Sequence, residues 1–287
     1  MPPKQNEWSV VAMLEWATAY FEKKDIPDPR FSIEWLLADV LGMKRLDLYL
    51  YFDRPLSSKE LNELRPLVKR RAKHEPLQYI TGRADFMKTA LNVSPKVLIP
   101  RPETEQLVEI ILKENADKEF SVLDIGTGSG CIAIALKKER PDWQITAVDI
   151  SSDALAVAKE NANINNTDIL FAQYDITAPD ENNFSKNFDI IVSNPPYVLP
   201  EEKDTLEQQV VNHEPHTALF CKNIEQIYQS IIQFSFRQLK RNGNLFLEIH
   251  AGQKDKIMPL FNQKWEAELI KDYSGHKRFI RAYKKQK

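Results

Sequence analysis

The stretch FDIIVSNPPY, residues 188–197, joins a short apolar strand to a rigid polar turn. The turn consists of Asn194, Pro195, Pro196 and Tyr197. Two adjacent prolines can neither extend a helix nor pair within a central sheet, so the strand must end at this point. The turn therefore presents a side-chain amide and an aromatic ring at the carboxyl end of a strand, which is the edge of an open α/β sheet where ligands bind.

A turn of this composition suits the alkylation of a poor nitrogen nucleophile. An amide or ring-conjugated amino nitrogen has a delocalised lone pair, so its N–H groups must be held on acceptors while the lone pair faces the electrophile. The Asn194 carboxamide oxygen and the Pro195 carbonyl would supply two such acceptors. Tyr197 would stack on a planar group or lie near a sulfonium. A bare Asn-Pro-Pro also occurs as a capped strand end, so the residues upstream must decide between these interpretations.

A glycine-rich loop, DIGTGSG at residues 124–130, follows one predicted strand and precedes a predicted helix. Glycines at such a turn allow positive φ and a close backbone approach to a ligand. The predicted cofactor loop comprises Gly126, Thr127, Gly128, Ser129 and Gly130. The dinucleotide fingerprint would require glycine at position 131, where Cys131 stands, and the chain has no Gly-x-x-x-x-Gly-Lys-Ser/Thr phosphate loop.

Acidic residues follow the next two predicted strands. Asp149 closes the second strand, and a carboxylate there accepts hydrogen bonds from ribose hydroxyls. Asp175 and Ile176 follow the third strand, where they would meet an adenine amino group and ring face. A ribose and an adenine without a phosphate indicate S-adenosylmethionine, whose ammonium and carboxylate would lie near the glycine loop and Asp124. Its methyl group would then face the strand end that carries Asn194.

The elements that must position these residues differ along the chain. Residues 1–75 repeat apolar side chains at helical spacing, which predicts a helical bundle. Residues 76–98 contain short β-prone pieces with breaks at Gly82 and Pro95, which predicts a hairpin-like connector. In residues 99–287 strands and helices alternate, which predicts a mostly parallel sheet with helices on both faces.

The predicted strands of this third region are 120–123, 144–148, 169–173, 189–193, 244–249, 267–271 and 278–283. The predicted helices are 131–139, 153–164 and 224–240, preceded by a helix that Thr104 or a neighbour would cap. The turn Pro100–Pro102 before that helix is rigid and carries Arg101, which could line a pocket.

Charge and cysteine content exclude several classes. Lys and Arg total 39 and Asp and Glu 41, giving a net charge of -2, whereas a protein that grips a long phosphate backbone is more often basic. Cys131 and Cys221 form neither a disulfide framework nor a metal cluster, and His213 and His216 lack a third ligand, so we expect no metal. Without a leader-like or membrane-length apolar run, we expect a cytoplasmic protein.

Taken together, DIGTGSG, TAVDI and VSNPPY resemble a class I S-adenosylmethionine-dependent methyltransferase. The runs EPLQYITGRADF, VLIPRPETEQLVE, NPPY and HEPHTAL narrow the resemblance to the PrmC/HemK family, over almost the whole chain. The resemblance implies a Rossmann-like domain with a mostly parallel seven-stranded sheet, preceded by a helical domain for substrate recognition. It also implies methylation of the glutamine side-chain nitrogen (N5) in the Gly-Gly-Gln motif of bacterial class I peptide chain release factors, with S-adenosyl-L-homocysteine as product.

The resemblance also assigns roles by position. The cofactor residues fall on Gly126, Thr127, Gly128, Ser129, Gly130, Asp149, Asp175, Ile176 and Asn194. The substrate residues fall on Asn194, Pro195, Pro196, Tyr197 and Arg101, of which Asn194, Pro195 and Tyr197 are the predicted catalytic residues. The connector departs from the family, because Lys88 and Leu91 stand where it often has a glycine and a second aromatic, which leaves the hairpin details open.

Two alternatives stay open at this point. A nucleic-acid amino methyltransferase acting on adenine N6 or guanine N2 faces the same planar-nitrogen problem, but it must reach a base and needs a basic channel, which the acidic balance does not favour. A catalytically idle methyltransferase fold would act as a binding module, against which the intact Asn194, Asp149 and loop glycines argue. We expect a monomer that contacts release factors and binds neither nucleic acid stably nor a membrane.

Overall fold

The computed structural model of this chain describes residues 8–115, 119–178 and 187–285. The α-helices are α1 (Val10–Glu22), α2 (Pro29–Leu41), α3 (Ser58–Arg71), α4 (Leu77–Thr81), α5 (Pro102–Glu114), α6 (Cys131–Glu139), α7 (Ser152–Ile164), α8 (Gln208–His213), α9 (His216–Leu219), α10 (Ile224–Gln238) and α11 (Lys254–Ile257). The β-strands are β1 (Arg83–Phe86), β2 (Thr89–Asn92), β3 (Ser121–Ile125), β4 (Gln144–Asp149), β5 (Leu170–Gln173), β6 (Phe188–Ser193), β7 (Leu239–Glu248), β8 (Trp265–Lys271) and β9 (Lys277–Lys284). The outer ends of the predicted first and last domains, residues 1–7 and 286–287, lie outside the described residues.

The described chain divides into two compact units, the first of which runs to Gly82 and also contains Glu207–His213. Its helices α1, α2, α3 and α4 enclose one apolar core. Fully buried members of that core include Leu14, Ile33 and Leu36. The predicted helical bundle is thus present, because apolar residues at helical spacing give each helix one face to bury.

A buried arginine organises this first unit. Arg71 is only 3% exposed. Its guanidinium donates to Ser32 Oγ at 3.1 Å, to the Glu75 carbonyl at 2.9 Å and to Gln209 Oε1 at 3.0 Å. A fourth bond reaches the Pro27 carbonyl at 3.3 Å. Because the planar guanidinium carries five donors in a fixed fork, one side chain joins α2, α3 and α8.

The second unit contains the seven-stranded sheet, in the order β5-β4-β3-β6-β7-β9-β8. The first five strands in this order, β5, β4, β3, β6 and β7, run parallel to one another. Strand β9 is antiparallel to both of its neighbours, β7 and β8. The strand order reverses beside β3, which has β4 on one side and β6 on the other. This reversal is the switch point where open α/β sheets bind ligands. The predicted mostly parallel sheet of seven strands is confirmed.

The parallel strands are buried on both faces, so they carry continuous apolar runs. Successive side chains enter opposite layers. Val122 packs in a cluster with Leu107 of α5 and Ile134 of α6. Its neighbour Leu123 packs in a second cluster with Tyr228 of α10. Helices therefore cover both faces of the sheet, as the alternation of strands and helices predicted.

Most predicted elements are present, with shifted ends. The predicted helix 224–240 ends at Gln238, and β7 begins directly at Leu239 rather than at residue 244. The early start follows from pairing, since Leu239 lies opposite Phe188 of β6. Among the described residues, no helix is both long and apolar enough to cross a membrane.

The predicted connector contains a real hairpin, in which β1 and β2 pair antiparallel with Ala84 opposite Leu91. The short helix α4 precedes it, where the sequence had suggested β-prone pieces, and this helix ends at Gly82 with φ of 73°. Thr104 itself does not cap the next helix, and the cap position falls on a neighbour, as the sequence prediction allowed. Arg101 is the residue before α5, and Thr104 lies buried in the first turn, where its hydroxyl bonds to another element.

Candidate active site

The candidate site lies in the second unit, at the carboxyl ends of β3, β4 and β6. The three strands end at the same position along the sheet, because Ile125 of β3 lies opposite Val148 of β4 and Ser193 of β6. The Ser193 hydroxyl donates to the Ile125 carbonyl at 2.7 Å, which joins the two central strands where they end. Every loop that leaves these strands therefore starts from one edge of the sheet.

The loop after β3 has the conformation that its glycines predicted. Gly126, Gly128 and Gly130 have φ of 73°, 56° and 83°. The loop turns back against β4, since the Gly126 amide donates to the Val148 carbonyl at 2.8 Å. A Cβ on Gly130 would lie 3.1 Å from Ile134 Cδ1 and 3.2 Å from Ala158 Cβ, so close packing as well as φ favours glycine there.

Asp149 ends β4 and holds the glycine loop. Its Oδ2 accepts from the Gly128 amide and its Oδ1 from the Ser151 amide, both at 2.9 Å. Burial raises the pKa of Asp149, and these two backbone bonds lower it. The adjacent Ile150 is apolar and 58% exposed. Ile150, which lies directly after the predicted ribose acid, was not selected from the sequence.

Asp124, the last polar residue of β3, is fully buried. Its Oδ2 accepts from the Thr127 hydroxyl at 2.7 Å, while its Oδ1 is buried without a hydrogen-bond partner among the described residues. Burial raises the pKa of Asp124 to about 7, and the negative charge of Asp149 adds to this increase. The hydrogen bond from Thr127 lowers the pKa, but its effect is smaller than that of burial. An unpartnered buried oxygen of this kind is costly unless a ligand donates to it.

Asp175 and Ile176 lie just beyond β5, on the outer side of β4. The Tyr174 amide donates to the Asp149 carbonyl at 3.0 Å, which places the two following residues next to the end of β4. Asp175 Oδ1 accepts from the Thr177 amide at 2.8 Å and from the Thr177 hydroxyl at 2.7 Å. Asp175 thus stabilises its own turn, and Ile176 packs against the apolar core.

The turn after β6 is fixed by contacts on both sides. Pro195 is buried, and Pro196 is half-buried. Asn194 Nδ2 donates to Thr104 Oγ1 at 3.0 Å. The Tyr197 carbonyl accepts from Gln253 Nε2 at 2.8 Å, and the Tyr197 hydroxyl lies 3.5 Å from Glu248 Oε1. The carboxamide that the sequence singled out is therefore held by its nitrogen.

Sequence reasoning missed Thr104 and Glu248, which lie behind this turn. The Thr104 hydroxyl donates to Glu248 Oε2 at 2.8 Å. Glu248 is fully buried at the end of β7, and burial raises its pKa to about 7. The sequence did contain a signal for Glu248, since it follows the apolar residues of a predicted parallel strand. A carboxylate buried at such a position requires hydrogen-bond partners.

Arg101 lies before α5 and is paired within the unit. Its Nη2 donates to Glu214 Oε1 at 2.7 Å, and Glu214 Oε2 accepts from the Ile99 amide at 3.3 Å. The Glu214 side chain is 1% exposed, against 28% for Arg101. Glu214 was also missed by sequence reasoning. Its burial fixes the rigid turn that carries Arg101.

Comparisons with known proteins agree with this architecture. A family model described as the PrmC N-terminal domain matches residues 12–82, and one described as a methyltransferase small domain matches residues 102–219. A 16S rRNA methyltransferase (RsmC) from T. Thermophilus, solved with AdoMet and guanosine, superposes with a TM-score of 0.52 at 16% identity, covering 71% of this chain and 50% of that one. The catalytic domain of hMettl16 gives a TM-score of 0.51 at 18% identity, with 76% and 81% covered. These likenesses show the fold.

Curated relatives are much more similar. A release factor glutamine methyltransferase from Chlorobaculum tepidum is 39% identical over 283 residues, covering 95% of this chain and 96% of that protein. The protein of that name from Bacteroides thetaiotaomicron is 41% identical over 274 residues, covering 92% and 98%. The relatives carry the name that the motifs predicted, and they do not support the nucleic-acid alternative. The chain belongs to the release factor glutamine methyltransferase (PrmC/HemK) family.

Proposed function

We propose that this chain transfers a methyl group from S-adenosyl-L-methionine to the side-chain amide nitrogen (N5) of the glutamine in the Gly-Gly-Gln motif of bacterial class I peptide chain release factors. The observation that carries the proposal is the Asn194 carboxamide, held at its nitrogen by Thr104 Oγ1 at 3.0 Å. This bond leaves the Asn194 oxygen to accept an N–H group from another amide. The names of the curated relatives support a release factor as the substrate.

The residues at the ends of β3, β4 and β5 fit the proposed cofactor. Asp149 would accept hydrogen bonds from the ribose hydroxyls, and Asp175 with Ile176 would contact the adenine. The buried Oδ1 of Asp124, which has no hydrogen-bond partner within the described part of the chain, fits the ammonium group of the methionine portion as its donor. When bound, S-adenosyl-L-methionine supplies a methyl group on a sulfonium and leaves as S-adenosyl-L-homocysteine.

The Gly126–Gly130 loop would lie closest to the cofactor. Its backbone adopts the positive φ angles that bring peptide groups near a ligand. Thr127 and Ser129 are buried within this loop and shape it. We therefore assign the loop as a cofactor-binding element.

Asn194 and Pro195 would act by orienting the acceptor amide. The Asn194 side-chain oxygen and the Pro195 carbonyl each accept one N–H group, which turns the nitrogen lone pair toward the methyl group. A C–N bond would form as the C–S bond of the sulfonium breaks, and the alkylated nitrogen would then lose a proton to solvent. No strong base is needed before transfer, because this proton becomes acidic only during alkylation. Pro196 and Tyr197 would complete the surface against the planar amide.

Arg101 is proposed as a further substrate contact. Glu214 engages one guanidinium nitrogen, Nη2, at 2.7 Å. Other N–H groups of the guanidinium stay available to donate to a carbonyl oxygen of the protein substrate. The pairing with a buried carboxylate would hold Arg101 in one orientation for this contact.

The remaining assignments concern the whole chain. We propose residues 1–75 as the recognition domain, residues 76–98 as the connector and residues 99–287 as the catalytic domain. The protein would act in the cytoplasm as a monomer, with release factors as its partners and without stable nucleic-acid binding. These assignments rest on the family resemblance and on the fold.

The test of the reaction is transfer of a labelled methyl group from S-adenosyl-L-methionine to a purified bacterial class I release factor. Two further acceptors are a release factor whose Gly-Gly-Gln glutamine is replaced and a mixture of DNA and rRNA. We expect label on the unmodified release factor alone. Label on nucleic acid alone would contradict the proposed function and would direct attention to a base-binding channel.

The role of Asn194 is tested by Asn194→Ala. We expect kcat to fall by on the order of 100-fold or more, since one preorganised hydrogen-bonding group is lost. Cofactor affinity, measured by calorimetry, should stay near that of the unsubstituted protein. Asn163→Ala, an exposed asparagine on α7, is the matched control. A parallel loss of cofactor binding would instead place Asn194 in the cofactor site.

A further inference from the structure

Three side chains from three elements form one hydrogen-bonded chain behind the proposed acceptor site. Glu248 lies at the end of β7, Thr104 in the first turn of α5 and Asn194 directly after β6. Thr104 Oγ1 donates to Glu248 Oε2 at 2.8 Å and accepts from Asn194 Nδ2 at 3.0 Å. Thr104 is 2% exposed and Glu248 is 0% exposed, so water does not compete for these bonds.

When Glu248 is ionised, the donors and acceptors of these three side chains permit one orientation of the Asn194 carboxamide. A threonine hydroxyl has a single proton, and a carboxylate has none to give. Once Thr104 donates its proton to Glu248, its oxygen can only accept. The group of Asn194 that faces Thr104 must therefore be the NH₂ group. The flipped amide would set its oxygen against the Thr104 oxygen without a proton between them.

We infer that Thr104 and Glu248 are positioning residues that hold the Asn194 carboxamide with its oxygen toward the acceptor amide. This inference rests on the proposed function, in which Asn194 accepts an N–H group from the glutamine side chain. A flipped carboxamide would present its NH₂ group to the NH₂ group of the substrate glutamine. Two donors cannot bond to each other, so the glutamine amide would not be held in place. Thr104 and Glu248 touch neither the cofactor nor the substrate in this scheme.

The same carboxylate also lies near Tyr197, another residue of the turn that the sequence predicted to be catalytic. Glu248 Oε1 lies 3.5 Å from the Tyr197 hydroxyl, so its two oxygens serve Thr104 and Tyr197. The Glu248 backbone carbonyl accepts from the buried Tyr228 hydroxyl at 2.8 Å, which fixes the strand end from α10. One buried acid at the end of β7 therefore links the amide and the aromatic ring of the turn.

The decisive variants are Thr104→Val, which keeps the shape and removes the hydroxyl, and Thr104→Ser, which restores it. We expect Thr104→Val to lower kcat by on the order of 100-fold at saturating cofactor, because a misoriented amide misplaces the acceptor. Thr104→Ser should recover most of the lost rate. The cofactor dissociation constant should not change in either variant, because neither touches the cofactor.

Thr89→Val is the matched control, since Thr89 is a buried threonine in the hairpin strand β2. Unchanged kcat in Thr104→Val, or equal loss in Thr104→Val and Thr104→Ser, would overturn the inference. Loss of thermal stability with unchanged kcat would also overturn it. If Asn194→Ala itself keeps full activity, the proposed role of Asn194 fails first. If Asn194→Ala is inactive and Thr104→Val is fully active, the positioning inference alone fails.

Discussion

At the scale of single residues, two buried carboxyl groups set the chemistry of the site near neutral pH. Burial raises the pKa of Asp124 and of Glu248 to about 7 in each case. They belong to different halves of the proposed site, since Asp124 contacts the glycine loop through Thr127 and Glu248 supports the turn through Thr104. Their protonation should therefore affect cofactor binding and methyl transfer separately.

The orientation argument predicts how kcat depends on pH. Above pH 7 Glu248 is ionised and accepts the Thr104 proton. Below pH 7 it carries a proton and can donate to Thr104, which frees the Thr104 proton and removes the constraint on Asn194. We expect kcat at saturating cofactor to fall as the pH is lowered from about 8 to about 6, with an apparent pKa near 7.

The variant that isolates this effect is Glu248→Gln, which cannot ionise but keeps an oxygen that can accept from Thr104. The groups facing Glu248 include Thr104, Tyr197, Arg278 and Glu103, and all of them remain in this variant. We expect its kcat to lose the step near pH 7. If kcat of Glu248→Gln shows a step of the same size near pH 7, the titrating group is not Glu248. The measurement is made at saturating cofactor so that titration of Asp124 does not alter the rate by weakening cofactor binding.

At the scale of the elements, the turn from β3 to α6 depends most strictly on residue type. Gly130 has φ of 83°, and a Cβ would lie within 3.4 Å of Ile134 Cδ1 and of two Ala158 atoms. We expect Gly130→Ala to weaken cofactor binding by at least about tenfold, because α6, α7 and the loop must shift to admit the methyl group. Calorimetric titration with S-adenosyl-L-methionine measures this change.

Gly275, in the turn between β8 and β9, is the matched control for that substitution. Its φ is 87°, and a Cβ there would meet no atom of the described residues within 4 Å. Gly275→Ala therefore carries a similar backbone strain of about 1 kcal/mol without the collision. Unchanged cofactor affinity in Gly130→Ala would mean that the loop geometry does not determine binding. A loss of affinity in Gly275→Ala would show that global destabilisation explains both results.

The glycine loop is also held by a contact that the sequence could not reveal. Asn161 of α7 is fully buried, and its carboxamide bonds to the amide of Asn92 at 2.7 Å and to the carbonyl of Ser129 at 2.9 Å. The hairpin and the cofactor loop are thus joined through one side chain. Local periodicity predicts α7 and the hairpin separately, but a bond among three distant positions requires the tertiary structure.

At the scale of the whole molecule, the sequence predicted the elements that carry strong local signals. Apolar runs such as IIV in β6 predicted the mostly parallel sheet correctly, and the glycines at 126, 128 and 130 predicted the positive φ angles of the turn after β3. The partners of buried polar groups were not predictable, because they lie far apart in the sequence. Thr104, for example, resembled a helix cap in the sequence, whereas in the structure its hydroxyl bonds to Glu248. The membership of Glu207–His213 in the first unit was likewise hidden, since this segment is distant in sequence from the bundle.

That segment leads to a test of what holds the first unit together. Arg71 is buried, burial lowers its pKa, and its guanidinium satisfies the carbonyls of Pro27 and Glu75 as well as Ser32 and Gln209. Arg71→Ala would leave these groups without their donor. We expect the free energy of unfolding to fall by about 3 kcal/mol, measured by denaturant titration.

Lys69→Ala provides the comparison, because Lys69 is an exposed basic residue of the same helix and should change stability by less than about 0.5 kcal/mol. If the first unit recognises the release factor, Arg71→Ala should also raise KM for that substrate while leaving cofactor affinity unchanged. Equal unfolding midpoints for Arg71→Ala and the unsubstituted protein would show that the hydrogen bonds of the guanidinium make no net contribution to the free energy of unfolding. In that case the apolar core of α1, α2 and α3 would account for most of the stability of the unit, and α8 would be held by other contacts, such as that of His213 Nε2 with the Lys73 carbonyl at 3.3 Å.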